Sequence, residues 1–269
     1  MSILFNLTLF KREMKGSTKL LVIFDAIMTL YISMIISMYD PELMKSLDEW
    51  VDIMPGIMSA VGMKAGAANL LGFMSSYLYG FILIICPMAF TILRANGLIA
   101  RYTDKGSMVT LLAAPIKRRT VAFTQMKVLA GGIFALLIYA TVLEIVCAAA
   151  GFPGELDIKK MILLNIGLLS LHLFIGGVSF LFSCLFSDAK YSVGFGAGIP
   201  ALMFILQMLA NTGGNAEKFK YATFFTLFNP DSLLACESGA IVGIAVLFAG
   251  AILLFLTGIW TFSKKDLHI

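Results

Sequence analysis

Three ionisable residues, Asp25, Glu144 and His172, lie within or at the edge of long apolar segments of this sequence. An ionisable group in hydrocarbon is costly, and it often belongs to a proton relay or to the polar lining of a transport path. Each group can equally be satisfied by a neighbouring helix or reach an interface, and no second acid or histidine is spaced to complete a relay. The three residues are therefore predicted as possible pathway residues, with a structural role as the alternative for each.

Motifs of self-contained catalysis are absent from the sequence. It contains no GxxxxGK[ST] phosphate loop, no HExxH zinc motif and no GxSxG nucleophile motif. The four cysteines are scattered without a CxxC pair and the histidines number two, which indicates neither a metal site nor a disulfide framework. We expect that the chain is not an enzyme and that it holds no metal and no cofactor of its own.

The elements that carry these residues must be membrane spans. Of the 269 residues, 59% are hydrophobic and only 13% are charged, and the mean hydropathy is +0.93. No soluble domain of this size has a core that could bury such an apolar fraction. The predicted fold is an all-α integral membrane protein with one transmembrane domain over residues 1–269. Its six predicted spans are Leu20–Tyr39, Leu70–Leu93, Val121–Ala150, Ile158–Phe186, Tyr191–Ala210 and Gly239–Phe262.

The segments outside the spans differ in charge. Residues 1–19 have apolar positions at helical spacing followed by basic residues, which predicts an amphipathic helix in the headgroup layer. Residues 40–69 and 211–238 are predicted to be extracytoplasmic, and together with the turn after the third span they hold most of the acids. Because cytoplasmic segments are enriched in Lys and Arg, both termini are predicted to lie in the cytoplasm, with the chain in the cell membrane.

The densest group of cations lies in the loop 94–120, between the second and third spans. Gly97–Leu112 is predicted to form a short helix, or two, broken near Asp104, and Pro115 stops it because proline cannot donate the next backbone hydrogen bond. Two spans would hold this helix at the cytoplasmic surface, where a soluble partner can push on it. In the second span, Pro87 predicts a kink.

Small residues at a spacing of four mark two helix faces. They are Gly194 with Gly198 in the fifth span and Gly239 with Gly243 in the sixth. Such faces let helices approach closely, so each is a candidate for a subunit interface or for an internal contact. Gly194 and Gly198 are predicted at the dimer interface.

The central loop, NGLIARYTDKGSMVTLLAAPIKRRTVAFTQMKVLA, resembles the cytoplasmic loop of ABC-2 type permeases, which are the membrane subunits of type V-like ABC exporters. That family has an acidic-basic-Gly-[ST] element, then a Leu-Leu pair, a small residue, a proline and basic residues. The matching positions here are Asp104, Lys105, Gly106, Ser107, Leu111, Leu112, Ala114, Pro115, Lys117 and Arg118. The end of the chain, FSKKDLHI, is similar to a frequent ending in the family. Family members often have two acids before the Lys-Gly element, where Arg101, Tyr102 and Thr103 stand here.

The resemblance implies a permease subunit of an ATP-driven exporter in the bacterial inner membrane. It implies two copies of a separate ABC ATPase, which bind ATP and Mg, and a second permease copy or a sister permease. The other expected partner is the lipid bilayer, and none is a nucleic acid. The resemblance places ATPase coupling at the cytoplasmic loop, at Arg101, Asp104, Lys105, Gly106, Ser107, Leu111, Leu112 and Pro115.

The substrate and one competing function stay open at this point. An apolar lining suits an amphiphilic or hydrophobic substrate such as a peptide, lipid or drug. The competing interpretation is a self-contained secondary transporter, or a membrane binding protein, that works without an ATPase. Secondary transporters usually contain internal repeats with interrupted helices at matching positions. The two halves of this sequence show no convincing match.

Overall fold

The computed structural model describes residues 5–40, 49, 53–63, 69–104, 106, 108 and 116–265. Within these residues the chain is helical and contains no strand. Six described segments are long and apolar enough to cross a membrane: Leu7–Ser37, Leu70–Asp104, Arg118–Gly151, Ile158–Leu185, Ala189–Asn211 and Ser238–Lys264. The predicted multi-pass, all-α architecture is thereby confirmed at the level of length and composition.

The helices follow one another in a simple order along the chain. They are α1 (Leu7–Ser37), α2 (Pro55–Ala60), α3 (Leu70–Tyr77), a π-helix (Leu78–Ile82), α4 (Leu83–Leu98), α5 (Ala100–Asp104), α6 (Arg118–Gly151), α7 (Ile158–Leu185), α8 (Ala189–Asn211), α9 (Pro230–Leu234) and α10 (Ser238–Lys264). Two 3-10 helices, Gly214–Ala222 and Phe224–Leu227, connect α8 to α9. The second membrane-length segment contains α3, the π-helix, α4 and α5, and we call its first three elements the second span.

Helix α7 is the centre of the bundle. It packs against α4, α6, α8 and α10, whereas α1 packs mainly on α6 and leaves most of its surface exposed. Glycines make the close packing of α7 possible: a Cβ atom at Gly176 would lie 3.0 Å from Ile133 Cδ1, and one at Gly177 would lie 2.9 Å from Leu254 Cβ. The close approach at Gly176 extends to the second span, because a Cβ atom there would lie 3.4 Å from Thr91 Cγ2.

One predicted detail differs in the structure, and another is described only in part. The segment 1–19 was expected to form a separate interfacial helix, but α1 runs without interruption from Leu7 to Ser37. Asn6 caps it, because its Oδ1 accepts a hydrogen bond from the Leu9 N–H at 2.9 Å. Of the predicted coupling helix, the structure describes α5 (Ala100–Asp104) and the positions 106 and 108. Gly106 has φ +68°, a left-handed conformation that ends a helix and fits the predicted break.

Both ends of the described chain lie at one end of the bundle, which we call the terminal face. The Asn6 N–H donates to Thr124 Oγ1 at 3.1 Å, and Arg118 Nη1 donates to the Lys265 carbonyl at 2.7 Å. Most described cations lie at this face: Lys11, Arg12, Lys15, Lys19, Arg94, Arg101, Lys117, Arg118, Arg119, Lys127, Lys190, Lys264 and Lys265. The cytoplasmic orientation of this face remains a prediction from that asymmetry.

The π-helix in the second span meets the loop after α2 through backbone alone. A Cβ atom at Gly80 would lie 2.8 Å from the Val61 carbonyl oxygen and 3.1 Å from Gly62 Cα. Gly62 itself has φ +81°, which a side chain would strain. π-helical turns are rare and often occur at functional sites. The π-helix therefore makes the second span a candidate for a functional role.

Gly80→Ala is expected to lower the free energy of unfolding by about 1–3 kcal/mol, because the added methyl group overlaps the Val61 carbonyl. The measurement is a titration with sodium dodecyl sulfate followed by circular dichroism. Gly16→Ala is the matched control: no atom of the described chain lies within 4 Å of where a Cβ at Gly16 in α1 would stand, so this change should stabilise the helix slightly. Equal stability of the two variants would contradict the contact.

Candidate functional site

A buried carboxylate at the terminal face ties α1 to the end of the second span. Glu13, only 5% exposed, accepts from Arg94 Nη2 through Oε2 at 3.1 Å and through its backbone carbonyl at 2.8 Å. Its other oxygen, Oε1, accepts from the Tyr102 hydroxyl at 2.6 Å. Removal of one partner would leave a buried charge unpaired, which is destabilising. Such a pair therefore holds its helices in one relative position. The start of α1, the end of α4 and α5 therefore form one mechanical unit.

Backbone groups at the break between α4 and α5 are hydrogen-bonded by a side chain of α7. At Ile99 φ is −130°, so the helical run stops there. Ser183 of α7 donates its hydroxyl to the Ala95 carbonyl at 3.1 Å and accepts from the Ala100 N–H at 3.0 Å. Ser183 was not identified from the sequence, since a serine in an apolar helix ordinarily bonds within its own turn.

The predicted coupling residues are only partly described. Arg101 and Asp104 are exposed on α5, and Asp104 Oδ1 accepts from the Ala189 N–H at 3.4 Å. Gly106 is also exposed. The remaining predicted coupling residues, Lys105, Ser107, Leu111, Leu112 and Pro115, lie outside the described residues. The described part of the predicted coupling segment thus presents charge to the outside of the terminal face.

A hydrogen bond at the terminal face also joins the ends of α7 and α10. Lys265 Nζ donates to the Cys184 carbonyl at 3.2 Å. Burial lowers the pKa of the Lys265 amino group, because its charged form loses solvation. The end of α10 is therefore held against the end of α7, beside the residues that meet α5.

Glu144 lies in a fully buried cluster that joins three spans. Its Oε2 accepts from the Tyr79 hydroxyl and from Asn165 Nδ2, both at 2.9 Å, and Asn165 Nδ2 also lies 2.6 Å from the Tyr79 oxygen. Glu144 Oε1 has no partner among the described residues. Tyr79 is part of the π-helix, so the widened turn brings its hydroxyl to α6 and α7. Neither Tyr79 nor Asn165 was identified from the sequence.

His172 compensates for a proline. Pro87 has no N–H to donate to the Leu83 carbonyl one turn earlier. His172 Nε2 lies 2.9 Å from that carbonyl oxygen. Because a carbonyl can only accept, Nε2 carries the proton and donates it. His172 Nδ1 is buried without a partner among the described residues, which fits a neutral ring with a structural function.

Asp25 lies apart from the other two predicted pathway residues. It lines a groove between α1 and α6 that is open to the outside of the bundle, with Thr29 and Tyr139. Its Oδ1 is buried and has no partner among the described residues. Asn165 and His172 are seven residues apart on α7, about 10 Å along the axis. The structure therefore brings Glu144 and His172 to the same interface with the second span, whereas Asp25 lies in the open groove between α1 and α6.

The two glycine faces have different environments. Gly194 and Gly198 are exposed on α8, and no atom of the described residues lies within 4 Å of where a Cβ would stand. Gly243 is different, because a Cβ there would overlap the Leu227 carbonyl. The α8 face is thus open, while Gly243 serves a contact inside the chain.

No family model matches this chain, and no curated protein is significantly similar to it. Within the described residues, no group of three or more His, Cys, Asp or Glu side chains is placed to hold a metal ion.

His172→Leu is expected to lower the free energy of unfolding by about 1–3 kcal/mol, because the Leu83 carbonyl loses its donor in a buried position. In a Pro87→Ala background the same change should be much less destabilising, since the Ala N–H then donates to Leu83. The measurement is a double-mutant cycle by detergent titration. The same loss in both backgrounds would show that His172 stabilises the protein by packing alone.

Proposed function

We propose that this chain is the permease subunit of an ATP-driven exporter, which pairs with separate ATPase subunits and moves an amphiphilic or hydrophobic substrate out of the cytoplasm. Two observations support the proposal. The first is the resemblance of the segment 96–130 to the cytoplasmic loop of ABC-2 permeases. The second is the link at the terminal face between α1, α4 and α5 through Glu13. The link is the observation that carries the mechanism.

The link would convert a push on α5 into movement of two spans. Tyr102 of α5 and Arg94 of α4 both bond Glu13 of α1, so a displacement of α5 is resisted by α1 as well as by α4. ATP would bind to the partner subunits, whose closure supplies the push. A conformational change requires contacts that differ between the two states, and a charged helix against a soluble partner supplies them.

The irregular second span is the other part of the proposed mechanism. The π-helix and Pro87 both lie in its middle, where the regular hydrogen-bonding pattern is interrupted. Helices bend at such points. Movement that enters at α5 would therefore be taken up near residues 78–87, next to Glu144 and His172.

A secondary transporter without an ATPase is the second candidate function. The buried Glu144, with one oxygen unpartnered among the described residues, favours it, since buried acids serve proton-coupled transport. Purification from the native membrane in mild detergent separates the two candidates. A P-loop subunit recovered in a one-to-one ratio supports the exporter, and a chain recovered alone that still transports supports the second candidate.

Arg101→Glu is expected to reduce the recovered ATPase by about tenfold, because the reversed charge meets the partner surface that the arginine fits. The measurement is quantitative mass spectrometry of the purified complex. Lys159→Glu is the matched control, since it makes the same charge change at an exposed residue on the opposite face. Undiminished recovery with Arg101→Glu would exclude α5 from the ATPase contact.

Gly198→Leu is expected to reduce dimer formation severalfold, because a branched side chain on the open face of α8 prevents close helix approach. The readout is crosslinking yield in membranes. Gly239→Leu, also at an open helix glycine, is the control and should leave the yield unchanged. A parental yield from Gly198→Leu would place the dimer contact elsewhere.

A further inference from the structure

The buried contact between Glu144 and Asn165 leaves two acceptor oxygens unpaired. Asn165 Nδ2 donates to Glu144 Oε2 at 2.9 Å and also lies 3.2 Å from the Met161 carbonyl oxygen. Glu144 Oε1 and Asn165 Oδ1 have no hydrogen-bond partner among the described residues. Buried polar atoms are nearly always hydrogen-bonded, because an unpaired one keeps the full cost of leaving water. Since the two side chains are in contact, one small bound species can satisfy both oxygens.

The carboxyl group of Glu144 also lacks a compensating positive charge. Its polar partners are the Tyr79 hydroxyl and the Asn165 amide, which are neutral and donate to the same oxygen. No described Lys, Arg or His side chain forms an ion pair with it. An ionised carboxylate in a low-dielectric interior is very costly unless a positive charge neutralises it.

The helices packed against α6 do not supply that charge. These helices are α1, α4, α7 and α10. Arg94 of α4 bonds Glu13, and His172 of α7 bonds the Leu83 carbonyl. The other basic residues of the four helices are exposed: Lys11, Arg12, Lys15, Lys19, Lys159, Lys160 and Lys264. The neutralising group must therefore come from outside the described chain.

The remaining ionisable groups near Glu144 do not change this conclusion. The last cation of α6 itself is Lys127, seventeen residues earlier and about 25 Å away along the helix. Asp25 of α1 is an acid and lies in the groove between α1 and α6. Tyr79 is thus the titratable side chain that faces Glu144, and a phenol is uncharged at neutral pH.

A polar cavity approaches the cluster from the face opposite the terminal face. Its volume is about 320 Å³, and Ser75 and Tyr79 of the second span lie in its lining with residues at the end of α8. Tyr79 therefore both meets the cavity and bonds Glu144. Ser75 lies four residues before Tyr79, and its buried Oγ is a third oxygen without a partner among the described residues. A polar cavity of this size admits water, so it gives a small cation a route to the cluster.

We infer that the Glu144–Asn165 pair binds one small monovalent cation, a proton or a sodium ion, between Glu144 Oε1 and Asn165 Oδ1. A proton on Oε1 forms a hydroxyl group that donates to the amide oxygen. A sodium ion is coordinated by both oxygens, since carboxylate and amide oxygens are ligands of hard cations. In either form the buried carboxylate is neutralised. The inference holds for both candidate functions, because it follows from the burial of an acid and requires this chain alone.

The test is infrared spectroscopy of the purified full chain in lipid nanodiscs at neutral pH. The first spectra are taken without sodium, with N-methyl-D-glucamine as the buffer cation, so that the proton is the small cation left to neutralise Glu144. A protonated carboxyl group has a carbonyl stretching band that a carboxylate lacks. We expect the parent to show one such band that is lost in Glu144→Gln, a change that keeps the size of the side chain.

Glu155→Gln is the matched control. It makes the same chemical change at an exposed acid in the turn after α6, and it should leave the band unchanged. Because the band is read from the difference between the parent and Glu144→Gln, absorption by Asp25 cancels.

Asn165→Leu tests the assignment of the partner by a second measurement. The band should move to higher frequency, because the Glu144 carbonyl loses the hydrogen bond from Asn165 Nδ2. Ser170→Ala is the control on the same helix and should leave the frequency unchanged, since Ser170 bonds the Gly167 carbonyl. An unchanged frequency in Asn165→Leu would contradict a neutral acid bonded to Asn165.

Addition of sodium then identifies the cation. Loss of the band with sodium, but not with more N-methyl-D-glucamine, shows that sodium takes the site, and a band that persists shows that the site holds a proton. Identical spectra of the parent and Glu144→Gln in the acid-carbonyl region without sodium would overturn the inference, because Glu144 would then be ionised with no cation bound. The assay contains no ATPase and no ATP, so its failure does not bear on ATPase recovery, and a failure of the export proposal leaves it intact.

Discussion

The backbone of the second span depends on hydrogen bonds that it cannot make by itself. In hydrocarbon every N–H and C=O group must find a partner within the protein. This span departs from regular α-helix three times, at the π-helix, at Pro87 and at the break after Leu98. Two of these departures are met at the backbone by a side chain of α7: His172 bonds the Leu83 carbonyl, and Ser183 bonds the Ala95 carbonyl and the Ala100 N–H. At the π-helix, Asn165 of α7 bonds the Tyr79 hydroxyl instead. The central position of α7 follows from this requirement as much as from its apolar surface.

This arrangement explains how an irregular span can be stable and still suited to movement. The three α7 side chains lie at separate heights along the second span, and two of them bond backbone groups at its irregular turns. At the terminal face the same span is held from the other side by Glu13 of α1. If the chain is an exporter subunit, as we propose, a push from an ATPase on the second span would be transmitted to both α1 and α7.

The irregular turn also shapes the surroundings of a cavity that Ser75, Tyr79 and Gly80 line. The π-helix directs Tyr79 towards Glu144 and Asn165, and it directs Gly80 against the backbone of Gly62. The close Gly80 contact brings the loop after α2 over the second span, beside the cavity that Ser75 lines. A single departure from α-helical geometry thus connects the buried acid, the packing of α2 and the cavity.

The sequence by itself determined the six spans, because hydropathy is a property of each segment and needs no knowledge of its neighbours. It also indicated that Asp25, Glu144 and His172 require explanation, and that Pro87 disturbs its helix. It did not show that His172 bonds the carbonyl that Pro87 leaves free, nor that Glu144 meets Tyr79 and Asn165. Those pairings join residues far apart in the chain, so they depend on the rotation and depth of each helix in the bundle. Only the tertiary structure decided them, because helix packing selects which polar side chains face one another.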